Sequence, residues 1–285
     1  MSMRGHQASF HLMTDTNIPS IGIIGMGLMG SALMQMTGAS HGWDLDATRC
    51  VNAATAADVF NRCGLIILCL PHTGVVREVL GSVVLKPRLI VIDASTGSPH
   101  EVAALGAELS VQGVHYLDAT ISGSSAQLLK QDVLVMVGGE SAVFERCRSL
   151  LAHFASDVVH VGPWGSGAKM KLVTNLVLGL NRAALAEGLV LAQQLDLNLT
   201  NAFDVLRRSM AYSRIMDTKG EKMVARDYAT QAKLSQHLKD VRLMLAASQI
   251  PLPLTETHRA LLEKAEALGW GDADNSAIIE AIIEP

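Results

Sequence analysis

The sequence predicts a two-domain α/β protein, with a doubly wound parallel sheet in its first part and an all-helical C-terminal domain after it. Up to about residue 162, short apolar runs alternate with helical segments, an order typical of a parallel sheet covered by helices. Beyond Gly162 no strand pattern remains, and helical patterns follow one another. We therefore divide the chain into a loose N-terminal tail (1–19), an α/β domain (20–163) and a helical domain (164–285).

Composition narrows the class of protein. The chain has 285 residues, 49% hydrophobic and only 4% aromatic, so a large aliphatic core is expected. A net charge of −4 without a basic stripe argues against nucleic acid as a partner. No apolar run reaches the length of a membrane span, and residues 1–19 lack the apolar segment of a signal peptide. The four cysteines have no metal-type spacing and no H-E-x-x-H motif occurs, so we expect a cytoplasmic protein without a metal site.

The first predicted strand runs directly into a glycine-rich turn, and a helix is predicted from about Ser31. A G-x-G-x-x-G motif in this position is typical of a dinucleotide site in a Rossmann-type domain. Gly25 permits the tight turn, Gly27 lets a pyrophosphate approach the backbone, and Gly30 lets the helix and the strand pack closely. A chance match among 24 glycines is the alternative, and the placement after the first strand argues against it. The residues predicted to contact the cofactor here are Gly25, Met26, Gly27, Leu28, Met29 and Gly30.

Asp44 is the candidate ribose ligand. It lies in the second predicted strand, Gly42–Asp46, nineteen positions after Gly25. An acidic residue about twenty positions after the motif accepts hydrogen bonds from the adenosine ribose, and it repels the 2′-phosphate of NADP. This favours NAD over NADP, although Arg49 is near enough in sequence to reach a phosphate. An ordinary strand-end aspartate is the alternative interpretation.

The remaining elements follow in order. In the first domain we predict strands at Gly64–Pro71, Leu89–Asp93, Val114–Asp118, Val133–Val137 and Val158–Val161, and helices at Ala54–Asn61, from the Pro71–Gly74 turn to Leu80, from Pro99, and at Ser141–His153, with a small-residue loop at Ala119–Asp132. In the second we predict helices at Gly167–Gln194, Asn201–Met210, Lys233–Ser248, Pro253–Leu268 and Asn275–Ile283. Ligands of doubly wound sheets bind beyond the carboxyl ends of the strands, where Leu70, Pro71, Thr96 and Ser122 fall.

Lys171 and Asn175 lie just after the glycine-rich joint between the two domains. Four residues apart on a helix, they project from one face. A lysine in the first helical turn lies near the positive end of the helix dipole, and burial would add to that effect, so we expect a lowered pKa and a usable proton donor. A solvated lysine with a polar neighbour is the alternative from these residues alone.

Four motifs in register resemble the β-hydroxyacid dehydrogenases, the family of 3-hydroxyisobutyrate dehydrogenase and tartronate semialdehyde reductase. They are Gly22–Gly30; Leu117-Asp118-Ala119-Thr120-Ile121-Ser122-Gly123-Ser124; Gly165-x-Gly167 with Lys171 and Asn175; and Leu238-Lys239-Asp240-Val241-Arg242-Leu243. The likeness covers roughly residues 20–282. The chain departs from the family pattern at Thr120 and Ser124, and in a shortened segment from Ser31 to Asp58 that bears on adenosine binding.

The resemblance implies hydride transfer between a nicotinamide cofactor, expected to be NAD, and a small 3-hydroxy acid or its semialdehyde. Lys171 would exchange the proton with the substrate oxygen, and Asn175 would hold the substrate and orient the lysine amine. The Ser122 hydroxyl and the backbone N–H groups of Gly123 and Ser124 would bind the carboxylate, while Thr96 and Lys239 would contact the nicotinamide side. Arg214 and Lys222 of the helical domain are further cations, and the sequence does not show whether they reach the substrate carboxylate.

Two other interpretations stay open at this point. An imine reductase has the same two-domain plan, but such enzymes generally lack the lysine. A non-catalytic NAD-binding scaffold is compatible with the shortened segment. The helix at Gly167–Gln194 is too apolar for a single buried face, so we also expect a homodimer or homotetramer.

Overall fold

The structure, a computed structural model, describes residues 20–283; the predicted tail at 1–19 lies outside this range. Within the described part, seven strands form one sheet in the order β2-β1-β3-β4-β5-β6-β7. The strands are β1 (Ile21–Ile24), β2 (His41–Trp43), β3 (Leu65–Leu68), β4 (Ile90–Asp93), β5 (His115–Ser122), β6 (Leu134–Gly139) and β7 (Asp157–Gly162). The predicted Rossmann-type sheet is therefore confirmed, with strand ends that differ from the predicted ones by a few residues.

One pairing differs from the predicted all-parallel sheet. β6 runs antiparallel to β5, and Ile121 pairs with Val135, whereas the other neighbours in the sheet are parallel. A parallel crossover needs a dozen or more residues, and the connection from Ser122 to Leu134 is too short for one. The predicted loop at Ala119–Asp132 is also wrong in part, because β5 continues to Ser122 and a short helix, α5, follows.

Six helices cover the two faces of the sheet within residues 20–165. They are α1 (Leu28–Thr37), α2 (Ala56–Arg62), α3 (Thr73–Gly81), α4 (Pro99–Val111), α5 (Ser125–Leu128) and α6 (Ser141–Phe154). The first, fifth and sixth pack on one face, where Ile23 and Ile67 point, and the other three pack on the opposite face, where Ile24 and Ile66 point. The strands are apolar on both sides because both sides are buried.

The second domain is helical. Its helices are α7 (Ser166–Gln194), α8 (Leu199–Arg208), α9 (Met216–Ala225), α10 (Leu234–Ala247), α11 (Pro253–Ala265) and α12 (Glu280–Ile283), with a π turn at Glu266–Trp270 and a 3₁₀ turn at Asn275–Ile279. The sequence did not predict α9, whose apolar positions are few. This helix packs through Gly220, where an added Cβ would lie 2.1 Å from the Phe203 ring of α8.

The helix α7 joins the two domains. Its first turn packs against β5, where the carboxylate of Asp118 accepts hydrogen bonds from the backbone N–H groups of Gly165 and Ala168 at 2.9 and 3.0 Å. The Thr120 hydroxyl donates to the Gly167 carbonyl at 2.9 Å. Further along, α7 packs against α8, α9, α10 and α11. The family motifs around Asp118 and Gly167 thus fix the start of α7 on the sheet.

The length of α7 corrects one expectation from the sequence. At 29 residues it is long and apolar enough to cross a membrane by length and composition, whereas we expected no run of that length. A core helix passes the same test, and α7 carries the buried Arg182 in its middle and packs against α4, α8, α9, α10, α11 and α12. The length and apolar composition of α7 are therefore only weak evidence for a membrane span.

Candidate active site

The glycine turn has the geometry that a dinucleotide needs. Gly25 adopts φ +90°, in the left-handed region, and a Cβ there would lie 2.3 Å from the Cys69 carbonyl oxygen. A Cβ on Gly30 would lie 1.8 Å from the Gly25 carbonyl oxygen, so α1 approaches β1 through this glycine. Gly27, in contrast, has no atom within 4 Å of an added Cβ among the described residues. Open backbone at the start of a helix suits a phosphate group, so these residues fit a bound dinucleotide.

Asp44 lies beside this turn. Its carboxylate accepts hydrogen bonds from the Met26 N–H at 2.7 Å and from the Asp46 N–H at 2.9 Å. The contacts hold Asp44 against the glycine turn, where a ribose bound to the same turn would meet it. Arg49 instead pairs with Asp46 at 3.1 Å on the surface.

A cavity of about 580 Å³ lies in the cleft between the domains. From the first domain it is lined by the ends of the strands and by the loops after them, and from the second by one stripe of α7 together with α9, α10 and the segments around residues 231–233 and 275. The predicted site residues that line it are Met29, Leu70, Thr96, Ser122, Gly123, Ser124, Lys171 and Asn175. The motifs of both domains therefore meet at one place.

Lys171 is partly buried in this cavity. Its ammonium donates a hydrogen bond to the Ile121 carbonyl at 2.6 Å, at the end of β5. Burial lowers the pKa of Lys171, and the nearby Asp240 carboxylate opposes this shift. We expected the helix dipole to contribute, but α7 begins at Ser166 and Lys171 lies in its second turn, where the dipole is weaker. The predicted direction of the pKa shift agrees with the structure, and its cause is burial.

Asn175 is placed differently from our expectation. Its amide donates to the Asp240 carboxylate at 3.1 Å, and no hydrogen bond joins it to Lys171 within residues 20–283. Asp240, on α10, therefore interacts with both residues: it accepts a hydrogen bond from the Asn175 amide, and its charge raises the pKa of Lys171. Asp240 belongs to the fourth motif, and its place in the sequence predicted no role for it. Asp240 is buried on the inner face of α10, where its carboxylate interacts electrostatically with Lys171.

Of the three groups predicted to bind the substrate carboxylate, the Ser124 N–H already has a hydrogen-bond partner within the protein. Ser124 is the N-cap residue of α5, and its backbone N–H donates to the Gln127 side chain at 3.0 Å in a capping box, so this donor is already used. Ser122 and Gly123 line the cavity beside Lys171. Gly123 adopts φ +146°, and a Cβ there would lie 2.6 Å from the Val133 side chain. The turn therefore requires glycine and brings the Ser122 backbone to the cavity.

Lys239 connects the domains on the cofactor side. Its ammonium donates to the Pro71 carbonyl at 2.9 Å and to the Thr96 carbonyl at 3.4 Å, the loops that follow β3 and β4. The two loops are those in which cofactor contacts were predicted. Lys222, in contrast, donates to the Ala229 carbonyl at 2.8 Å and does not line the cavity.

Several polar residues of the helical domain line the cavity although the sequence did not assign them to the site or place them, and four of them bear on its charge and polarity. Arg214 lines the cavity and pairs with Asp132 of the first domain at 2.5 Å. Arg182, His237 and Asn275 also line it and are buried. Arg182 stands eleven residues after Lys171, close to three full turns, so both face one side of α7. That spacing was the sequence signal for it. Within residues 20–283, no group of three or more His, Cys, Asp or Glu side chains is arranged to hold a metal.

Two family models match the chain. The model of the NAD binding domain of 6-phosphogluconate dehydrogenase matches residues 20–162. The model described as NAD-binding of NADP-dependent 3-hydroxyisobutyrate dehydrogenase matches residues 165–282. The two matches meet at the joint before α7.

Proteins of known activity match over nearly the whole chain. A 2-(hydroxymethyl)glutarate dehydrogenase of Eubacterium barkeri is 31% identical, over 91% of this chain and 93% of its own length. A 2-hydroxy-3-oxopropionate reductase of Escherichia coli K12 is 30% identical, over 92% and 96%. The structure of a 3-hydroxyisobutyrate dehydrogenase of Mycobacterium tuberculosis with L-serine has a TM-score of 0.83 and 26% identity, over 93% and 99% of the two chains.

Proposed function

The chain belongs to the β-hydroxyacid dehydrogenase family of NAD(P)-binding oxidoreductases, and from this premise we propose how its residues carry the reaction. The enzyme acts on the CH–OH group of a small hydroxy acid or on the matching carbonyl. The named activities of the relatives are those of dehydrogenases and reductases, so neither the imine reductase nor the scaffold is favoured. One observation carries our proposal: a lysine with a lowered pKa lies in the cavity where both domains meet.

Lys171 exchanges the proton with the substrate oxygen. The bound nicotinamide supplies or accepts the hydride. In the reducing direction the ammonium of Lys171 protonates the carbonyl oxygen, and in the oxidising direction the neutral amine takes the hydroxyl proton. A pKa moved down toward neutrality is suited to both tasks. The Ile121 carbonyl holds the amine in place at 2.6 Å.

The substrate carboxylate binds at the end of β5. The Ser122 hydroxyl and the Gly123 backbone at this end of the strand are beside Lys171 in the cavity. Asn175 and Asp240 act on the lysine side: the amide holds the carboxylate of Asp240, and that carboxylate keeps the lysine pKa from falling further. In this proposal Asn175 is a positioning residue that holds the Asp240 carboxylate near Lys171.

The cofactor is NAD in our proposal. Both family models describe nicotinamide-dinucleotide binding, one of them in an NADP-dependent enzyme, so the choice depends on this chain's own residues. Asp44 is anchored to the glycine turn and would repel a 2′-phosphate, while Arg49 is paired with Asp46. Gly25, Gly27 and Gly30 hold the pyrophosphate, and Leu70, Pro71, Thr96 and Lys239 bound the nicotinamide side. Leu28 and Met29 open the helix whose backbone faces the phosphates.

We also propose a cytoplasmic enzyme that forms a homodimer or homotetramer and has neither nucleic acid nor a membrane as a partner. The overall test is initial-rate kinetics with NAD and NADP on a panel of 3-hydroxy acids, with lactate as a 2-hydroxy acid control. We expect NAD-dependent oxidation of at least one 3-hydroxy acid and little turnover of lactate. Tight NADH binding without turnover of any acid would support the scaffold, and turnover of cyclic imines alone would support the imine reductase.

A further inference from the structure

Arg182 is a buried cation without a matching anion. Its side chain is only 1% exposed, and its Nε and Nη2 atoms have no hydrogen-bond partner among residues 20–283. An arginine presents five N–H donors in a rigid fork that suits a carboxylate. Burying such a charge without partners is costly, so a native protein rarely keeps one without a use.

The carboxylate that acts most on Arg182 is already committed elsewhere. Asp274 raises the pKa of Arg182, but both oxygens of Asp274 pair with the Lys219 ammonium, at 2.9 and 2.8 Å. The same carboxylate also accepts the backbone N–H groups of Gln231 and Ala232. Lys219 therefore balances Asp274, and the charge of Arg182 is left over.

The neighbours of Arg182 do not supply a negative charge. His237 and His258 lie 5.1 Å apart, and burial together with Arg182 lowers the pKa of each, so both are neutral near pH 7. Burial lowers the pKa of Arg182 itself to about 10, so it remains protonated. The region therefore has a net positive charge that is protected from water.

Arg182 lines the same cavity as the catalytic lysine. Arg182, His237 and Asn275 all line it, and each has at least one buried polar atom without a hydrogen-bond partner among the described residues. The tips of Lys171 and Arg182 come from one side of α7, with about 16 Å of helix rise between their Cα atoms. A substrate held by its first carboxylate at Ser122 can extend along this side of α7.

We propose that Arg182, assisted by His237, binds a second carboxylate of the substrate, so that the enzyme prefers dicarboxylic hydroxy acids to monocarboxylic ones. The proposal rests on the proposed function, since it places the reacting carbon at Lys171. It assigns to Arg182 the role of a specificity residue at the far end of the cavity. The distance from Ser122 to Arg182 then determines which spacing between the two carboxylates of a substrate the enzyme accepts.

The test is binding calorimetry on the full-length enzyme with NADH, using succinate, glutarate and adipate, each paired with its own monoamide. A monoamide has nearly the same shape and lacks the second charge. We expect at least one diacid to bind ten-fold or more tightly than its monoamide. Differences below two-fold at all three lengths would overturn the proposal, as would tighter binding of 4-phosphonobutyrate than of any diacid.

Variants separate binding by Arg182 from a structural role. In Arg182→Gln the affinity of the best diacid should fall to that of its monoamide, while the affinities of the monoamide and of NADH stay within two-fold. Equal losses for diacid and monoamide would show a structural role and overturn the proposal. The matched control is Arg208→Gln, an exposed arginine that does not line the cavity, which should keep the ten-fold preference. If Arg182→Gln does not fold, the wild-type comparison decides alone.

Kinetics distinguish failure of this inference from failure of the proposed function. We compare 3-hydroxy acids that carry at C2 either an ethyl group or a carboxyethyl group. Equal kcat/KM for the two would leave the proposed function intact and overturn the second carboxylate site. No oxidation of either acid, with a diacid preference in calorimetry, would instead remove the proposed function.

Discussion

At the scale of single residues, our proposal assigns the proton transfer to Lys171, and its replacement is the most direct test. Lys171→Ala should lower kcat by about 10²–10⁴-fold, the usual contribution of general acid–base catalysis, with little change in NADH affinity. Lys171→Arg should not restore activity, because a guanidinium keeps its proton at any working pH. Steady-state kinetics and NADH fluorescence titration measure the two effects.

The control for Lys171 is its near neighbour in sequence. Lys169 is exposed and lies two residues earlier on another face of α7. Lys169→Ala should have nearly wild-type kinetics. If Lys169 proves essential and Lys171 dispensable, the assignment of the catalytic lysine is wrong.

We expect Asp240 to influence the pH dependence of the reaction through the pKa of Lys171. Reduction needs the protonated lysine, so the reductive rate falls as the pH rises through the lowered pKa of Lys171. The Asp240 carboxylate raises that pKa, and Asp240→Asn removes this effect. The descending limb of the reductive pH–rate profile should therefore move to lower pH in the variant. An unmoved limb, or a move to higher pH, would contradict this role; Asp157→Asn, at an exposed position, is the control.

We expect Asp44 to control the choice of cofactor. Wild-type enzyme should have a higher kcat/KM with NAD than with NADP. Asp44→Asn retains an acceptor for the Met26 N–H and removes the charge that repels a 2′-phosphate. The ratio of the two kcat/KM values should fall by roughly ten-fold, equivalent to about 1.4 kcal/mol. A wild-type preference for NADP would show that Asp44 does not determine specificity.

At the scale of elements, the sequence could predict what local patterns encode. Fully apolar runs such as Ile66 and its neighbours identified the strands, because strands buried on both faces leave no polar position. The glycine turn and the helix at Pro99 were predicted from the residues that turns and helix starts require. The antiparallel β6 was not, because pairing direction depends on the length of the connection and on contacts distant in sequence. The helix α9 was missed because its packing depends on Gly220 fitting against Phe203, which no periodicity reports.

The site shows the same division. The motif residues Lys171 and Ser122 could be predicted to lie together only through the family resemblance, since they are on different domains. Arg182 could have been noticed as one cation inside an apolar helix, eleven positions from the lysine. Its lack of a partner could not be predicted, because that depends on Lys219 having taken up Asp274.

The contact of α7 with the sheet is the element on which the geometry of the site depends. A Cβ at Gly167 would lie 2.4 Å from the Asp118 carbonyl oxygen and 2.8 Å from the Met136 carbonyl oxygen. Gly167→Ala must therefore move α7 away from β5, and with it Lys171. We expect a loss of about 1–3 kcal/mol in the free energy of unfolding, as for other overpacked sites, and a lower kcat.

Gly81 provides the matched control. It is the last residue of α3, and an added Cβ has no atom within 4 Å among the described residues. Gly81→Ala should leave the free energy of unfolding and kcat close to wild type, measured by urea denaturation and initial rates. Equal effects at the two glycines would show that the close contact at Gly167 is not what holds α7 in place.

At the scale of the whole molecule, α7 has two functional faces. One carries Lys171, Asn175 and Arg182 toward the cavity. The opposite face carries apolar side chains that are exposed in a single chain: Met170, Val173, Val177 and Leu191, between 38% and 58%. By helix periodicity these four lie roughly 100° to 160° around the helix axis from Lys171. An apolar stripe of this length on a helix is typical of a subunit interface.

We therefore expect a homodimer or a larger homo-oligomer at micromolar concentration, with this stripe of α7 buried between subunits. The double substitution Val173→Glu and Val177→Glu places two like charges at the centre of each stripe, and burying them without partners is unfavourable. Light scattering coupled to gel filtration should show a monomer for this variant and an oligomer for wild type.

The control is Val84→Glu, at an exposed valine outside α7, which should remain oligomeric. A monomeric wild type, or a Val173→Glu and Val177→Glu variant that stays assembled, would place the interface elsewhere or remove it. Because the same helix holds Lys171 on its other side, the monomeric variant should also lose kcat more than it loses NADH affinity, since the proposed pyrophosphate and ribose contacts lie in the first domain.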